Sequence, residues 1–334
     1  MRVLRSISVA AILVMGCREV ALPPAGSYSE VLLVTENGKR GPWLERIRPY
    51  IEVEHDYVTS SELSFRVTSI RAADLEEFPT VKNIVICGVL DSGTAVGLRI
   101  MQLIGQAGTD RVARGEASVL KRENMPAPGQ VTVIVTAMTE EGLEDVLARR
   151  GDDIEGVLES SCQKRLRRVL LEHPNERLSQ DLYRKYGFAL DIPYLYRLFS
   201  DEADPPGIEL IREPPTRSLG IFWADWDTQP SLYLRDELFD MRAEYVWDRY
   251  DHDKMQRDRV RFTWTKFGVY PAVRMSGYWY NDDTVAGGYF ETYFIWDESS
   301  DLLWAIDLLT FAPGRNKHPY VRELRAVAET FRYN

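Results

Sequence analysis

Two kinds of hydrophobic pattern divide the chain. Up to about residue 187 the strongest signals are short, nearly continuous apolar runs separated by helical stretches. Glu30–Glu36, Lys82–Leu90 and Gln130–Ala137 read as strands, and Leu63–Ile70 as a further, alternating one. Pro42 suits a first helical position and opens a helix to about Tyr50. Thr94–Ile104 is helical with Gly105 as its stop, and a second helical piece is expected between Asp110 and Lys121. The resulting order, β-α-β-β-α-β, predicts a ferredoxin-like unit. Thr139 then caps a helix whose first turn carries Glu140 and Glu141, favourable at the positive end of a helix. Helical periodicity continues to His173, breaks at Pro174, restarts at Asn175 and ends at Gly187.

From residue 188 the pattern changes to long alternating strands. Strands are expected near Phe188–Phe199, Ile208–Glu213 and Ser218–Asp225, a helix over Leu232–Tyr250, then strands at Ala272–Tyr280, Gly288–Trp296 and Leu302–Phe311. Asn281–Gly287 and Asp297–Asp301 supply the hairpin turns. A closing helix over Tyr320–Phe331 places Val321, Leu324, Val327, Ala328 and Phe331 on one face. Antiparallel strands with flanking helices give an α+β class. Composition shifts at the same place: of 37 aromatic residues, 29 lie after residue 187, including seven of eight tryptophans. That shift places a domain boundary between 30–187 and 188–334.

The N-terminus carries a different message. Arg2 and Arg5 precede the apolar run Ser6–Met15, which is too short to span a bilayer but suits a secretory signal. The ending Val14-Met15-Gly16-Cys17 resembles the lipobox of bacterial lipoproteins. The resemblance implies cleavage after residue 16, lipidation of Cys17 and a tether over 17–29. Arg18, in place of the aspartate that retains such proteins in the inner membrane, implies the periplasmic face of the outer membrane. The expected partner is therefore the membrane, through lipid, with an envelope protein or a glycan as possible ligand. Residues 17–334 hold 39 basic and 51 acidic residues, a net charge of -12, so no nucleic-acid partner is expected. Cys87 and Cys162 remain, either bridged or buried apart as small hydrophobes.

Several segments are similar to an uncharacterised family of bacterial lipoproteins common in Bacteroidetes, the domain of unknown function 4837. They are Leu22-Pro23 with Gly26, Lys82-Asn83-Ile84, Gly277-Tyr278-Trp279, Gly287-Gly288-Tyr289-Phe290, and Phe311-Ala312-Pro313-Gly314 with Lys317. The resemblance covers nearly the whole mature chain. Tyr289 stands where the family usually has proline, and Lys82 where it usually has arginine. The family implies a lipoprotein and brings no reaction.

Catalytic signatures are weak. Ser161-Cys162-Gln163-Lys164 has the Ser-x-x-Lys spacing, without the Ser-Asp-Asn and Lys-Thr-Gly elements that chemistry uses. Asp248, Asp251, His252 and Asp253 cluster, but Met255 and Gln256 occupy the positions where a calcium loop needs an oxygen ligand and glycine. No catalytic residue, metal or cofactor is assigned. The informative feature is a polar face of the C-terminal sheet, where Arg274, Tyr278, Tyr280, Glu291, Tyr293 and Asp307 are expected together as a binding face. Tyrosines supply flat amphipathic contact, and charges supply directional hydrogen bonds. Three functions fit: an envelope binding or scaffold lipoprotein, a carboxylate-dependent hydrolase of envelope glycan, and a structural subunit of an outer-membrane complex.

Overall fold

The computed structural model describes residues 27–333, apart from 58–59, 79–80, 117, 126 and 251. Cys17 and the tether up to residue 26 lie outside the described residues. The first half contains β1 (Glu30–Thr35), α1 (Pro42–Ile47), β2 (Glu54–Tyr57), β3 (Ser60–Leu63), β4 (Arg66–Arg71), β5 (Asn83–Val89), α2 (Ala95–Ala113), β6 (Val119–Glu123), β7 (Val131–Ala137), α3 (Glu140–Arg150) and α4 (Asp152–Leu170). Five of these strands form a sheet in the order β4-β1-β5-β7-β6. All neighbours are parallel except β6, which runs antiparallel to β7.

This parallel sheet replaces the expected ferredoxin-like unit. A ferredoxin-like sheet is antiparallel and needs alternating strands, with one face free of helices. Here Val31–Val34, Ile84–Cys87 and Val131–Val135 are buried on both faces, and continuous apolar runs belong to parallel sheets covered on both sides. One face packs on α2 through Val96, Ile100 and Ile104. The other packs on α1, α3 and α4 through Leu44, Ile47, Leu143, Leu147, Ile154 and Leu158. Cys87 and Cys162 are both free and buried. Gly105 adopts φ 66° inside α2, so it kinks the helix between two turns-worth of chain that both remain helical. The second piece ends at Ala113, and part of the segment expected as helix forms β6 instead.

The second half begins earlier than its composition suggests. Here α5 (Glu176–Tyr186) packs Leu182 into the C-terminal core. There follow β8 (Phe188–Ala189), β9 (Arg197–Ala203), β10 (Pro206–Arg212), β11 (Thr216–Asp225), α6 (Arg235–Arg249), β12 (Lys254–Met255), β13 (Arg261–Phe267), β14 (Tyr270–Asn281), β15 (Ala286–Asp297), β16 (Leu302–Phe311), α7 (His318–Ala328) and β17 (Arg332–Tyr333). An eight-stranded antiparallel sheet runs β12-β14-β15-β16-β11-β10-β9, with β13 also paired to β14. One face is covered by α6 through Leu238, Phe239 and Val246. The other is covered by α5 and α7 through Leu182, Leu324 and Val327. The class is mixed α+β, with a mixed sheet followed by an antiparallel one.

The halves meet through α4 and α7. Arg322 of α7 holds Glu159 of α4 through Nη2 at 2.6 Å and Nε at 2.9 Å. Arg167 of α4 donates to the carbonyl of Ala326 at 2.8 Å. The first N–H groups of α7 have no capping side chain from their own loop. The Glu62 carboxylate, brought across by β3, accepts the N–H groups of Lys317 and His318 at 2.7–2.9 Å. An anion at the positive end of a helix is favourable, and this one joins the two halves.

Candidate functional site

Between the β2–β3 hairpin and α4 on one side, and the β13–β15 surface with α7 on the other, lies a polar cleft of about 360 Å³. Its floor rests on two buried carboxylate–guanidinium pairs. Glu291 of β15 faces Arg325 of α7, which forks onto both carboxylate oxygens, with Nε–Oε2 at 2.7 Å. The Tyr289 hydroxyl donates to Oε1 at 2.8 Å and the Tyr293 hydroxyl to Oε2 at 3.0 Å. Burial by itself raises a carboxyl pKa. Here Arg325 and the hydroxyl donors outweigh it and hold Glu291 at about 2.

The second pair is part of a longer chain of contacts. Glu159 is also largely buried, and burial pushes its pKa up, yet His318 beside it and the hydrogen bonds from Arg322 leave it well below the usual carboxylate range. His318 sits beside both, with Nε2 2.9 Å from Arg322 Nη2 and Nδ1 2.7 Å from the Tyr57 hydroxyl. Burial and the neighbouring Arg322 lower the His318 pKa, opposed by Glu159. The imidazole is therefore neutral near pH 7. The ring of His55 lies 4.9 Å from that of His318, and its Nε2 is 3.4 Å from Glu155.

The walls differ in sign. Arg259, Arg261 and Arg274 line the sheet side, while Glu54, Asp56 and Glu155 line the hairpin and α4 side. The β13–β14 register sets Arg261 against Ser276 and Thr263 against Arg274, so both arginines share one face two rows apart. Arg274 is half-buried, and its Nε is shielded from solvent without a hydrogen-bond partner. Glu291, its natural partner, already accepts from four donors. Tyr278 stands at the rim, partly buried, with its ring 6.5 Å from that of Tyr289.

Of the residues expected on one binding face, the ladder brings Arg274, Tyr278, Glu291 and Tyr293 together. Glu291 and Tyr293 are buried under α7 and serve as floor. Tyr280 lies farther along β14, opposite Gly287 and outside the cleft lining. Asp307 is on the other face. It pairs with Thr292, not with the row of Glu291, and is fully buried against α6. There Arg242 grips it with Nε–Oδ1 at 2.7 Å and Nη2–Oδ2 at 3.0 Å, and Thr292 donates at 2.6 Å. Asp307 interrupts an apolar row because a buried arginine needs a counter-charge, so its interruption of the pattern was no sign of a solvent face.

Sequence reading missed the contribution of helices and hairpin. The signal was present in part: His318, Arg322 and Arg325 stand at helical spacing on one face of α7, as Glu155 and Glu159 do on α4. Arg259 ends a short turn and Arg261 opens β13, and both line the cleft. No local signal marked β2–β3, whose charged residues gain meaning only against the distant sheet.

Residues 175–330 match the sequence profile of a domain of unknown function, DUF4837. The chain carries a DUF4837 domain. The match spans α5 to the end of α7, and so includes the sheet wall and floor of the cleft. The DUF4837 motifs Gly277-Tyr278-Trp279 and Gly287-Gly288-Tyr289-Phe290 lie within it, whereas Leu22–Gly26 and Lys82–Ile84 fall outside. No curated protein matches the chain in sequence. Among solved structures, one from Bacteroides thetaiotaomicron VPI-5482 is similar at 10% identity and a TM-score of 0.30, over 44% of this chain and 45% of that one. LpqN, described as involved in cell envelope biogenesis of Mycobacterium tuberculosis, is similar at 10% identity and a TM-score of 0.28, over 43% of this chain and 81% of LpqN. The chain thus spans less than half the length of the first of these. Among the described residues no helix is long and apolar enough to cross a membrane.

Proposed function

We propose that this is a lipid-anchored protein of the cell envelope that binds a ligand in the cleft between its halves. The anchor is the Gly16-Cys17 site, and the expected address is the periplasmic face of the outer membrane. The observation that carries the binding reading is the cleft's construction. A floor of saturated ion pairs is rigid, and the walls above it hold charged groups that the protein itself leaves unsatisfied. Such preorganised polar groups lower the ordering cost of binding. Both floor carboxylates are held ionised by guanidinium groups, which suits a fixed electrostatic frame; a glycosidase acid needs a raised pKa instead.

The test has two arms. Replacing Cys17 by Ser should release the body from membranes or leave an uncleaved precursor, and an unmodified Cys17 in the membrane-bound mature protein overturns the anchor. A photo-crosslinking residue in place of Tyr278 should capture an envelope component in cells. The same residue at Tyr233, which is 96% exposed on the far side of the sheet, should not. Equal capture from both positions, or none from Tyr278, overturns the binding site.

A further inference from the structure

The walls of the cleft carry opposite charges that do not touch. Among the described residues Arg259, Arg261 and Arg274 make no ion pair, although Glu54, Asp56 and Glu155 line the opposite wall of the same cleft. Glu155 meets only His55, at 3.4 Å, and Glu54 accepts only from Ser61 Oγ at 3.3 Å. Charged side chains this close normally close on one another or point into solvent. Here Arg259, Arg261, Glu54 and Asp56 are exposed to solvent, with Arg261 and Arg274 carried by the β13–β14 ladder and the acids by the hairpin and α4. Arg274 is the most constrained of them. Its Nε is cut off from water, and Glu291 beneath it has no lone-pair direction to spare after Arg325, Tyr289 and Tyr293. A buried guanidinium N–H without an acceptor costs free energy unless an incoming group supplies one.

We propose that the cleft takes a small zwitterion, with acidic oxygens on Arg274 and Arg261 and an ammonium group on Asp56 and Glu155. This rests on the reading of the cleft as a ligand site and names the chemistry of its ligand. A simple anion would satisfy the arginines but face the three carboxylates of the opposite wall, and a simple cation would meet the reverse. A polyanion is disfavoured further by the net charge of -10. A volume of about 360 Å³ lies at the small end of ligand pockets and suits a di- or tripeptide or a headgroup, not a polymer. Tyr278 at the rim and Tyr289 deeper in the cleft supply flat surface for the uncharged part. The same pairing of ammonium and acidic oxygen occurs at the free ends of a short peptide and in an ethanolamine phosphate.

Calorimetric titration of the full lipidated chain in detergent micelles separates these cases. The probes are a pool of unblocked dipeptides, the same pool N-acetylated, the same pool C-amidated, and O-phosphoethanolamine. Binding of the unblocked pool, or of O-phosphoethanolamine, at least about tenfold tighter than of both blocked pools supports the proposal and identifies the source. Arg274→Gln and Asp56→Asn should each weaken that binding about tenfold or more while leaving the melting temperature within a few degrees. Equal binding of blocked and unblocked pools overturns the proposal, as does no heat from any zwitterion up to about 10 mM. If Tyr278 still captures an envelope component in that event, the cleft remains a ligand site of other chemistry. If it captures nothing, both readings fall.

Discussion

Glu209 shows how much a single buried group can govern. It lies on β10, 7% exposed, and its carboxyl meets only Ser218 Oγ at 2.6 Å. Burial, with Asp307 and Asp253 nearby, pushes its pKa up to about 7. Because the folded pKa exceeds the unfolded value of about 4.3, stability is full below that value and declines as pH rises toward 7. The decline amounts to about 3 kcal/mol. Glu209→Gln should therefore leave the unfolding free energy nearly unchanged at pH 4.5 and raise it by a few kcal/mol at pH 8. Denaturant titrations at the two pH values check this, and an equal effect at both would refute it. On the same face, Asp307 and Arg242 form a pair with no exposure on either side chain. Breaking it by Asp307→Ala should cost about 3–5 kcal/mol, because Arg242 is left charged and buried. Replacing both by apolar residues of similar volume should recover most of that loss, and a double variant no better than the single one would show that the pair does more than neutralise itself.

At the scale of elements, α7 carries the most varied duties. One face buries Leu324, Val327 and Ala328 against the antiparallel sheet, and another supplies His318, Arg322 and Arg325 around the cleft. Its N-terminus depends on Glu62, 255 residues away in sequence. Glu62→Ala should expose two helix donors and cost about 1–3 kcal/mol. The measurable signature is early hydrogen exchange at Lys317 and His318, ahead of the rest of α7; uniform exchange across the helix would count against the cap. The apolar face of α7, the alternation of β14–β16 and the two hairpin turns were all legible in the sequence, because each follows from local periodicity. The sheet direction in the first half was misread, because element order alone does not distinguish a parallel sheet from a split antiparallel one. The decisive clue was the lack of alternation in β5 and β7. Strands β2, β3, β6 and β13 were missed for a related reason: they are polar edge or hairpin strands whose partners lie far along the chain. Four of the six residues expected on one face lie together, and half of the cleft came from elements that no local pattern connects to it.

For the molecule as a whole, the cleft and the junction between halves are one structure. Glu159 and Glu291 both have depressed pKa values, so the stability they contribute is present above about pH 4.3 and is lost as pH falls through their folded values. Neutral His318 adds to the same limb, since protonating a buried imidazole between Arg322 and His55 is unfavourable. Acid should therefore loosen the α4–α7 junction before it melts either sheet. Limited proteolysis with an acid protease at pH 2 should cut near residues 171–175, between α4 and α5, much faster than at pH 5, leaving a C-terminal fragment. Fragmentation independent of pH would mean that the junction is held by packing alone.

Ser29, two residues after the described chain begins, donates nothing to a sheet yet stands 3.0 Å from Arg322 Nη1. It immediately precedes β1, and Arg322 is the residue that ties α7 to Glu159. A pull along the chain ahead of residue 27 is therefore shared between the first sheet, through Asn83 on the Tyr28 carbonyl, and the back of the cleft, through Arg322 on Ser29. If that stretch is the tether to a membrane, part of the load path from lipid to body runs through the same guanidinium that ties α7 to Glu159. Tension on the leash and grip on the ligand then become mechanically linked quantities.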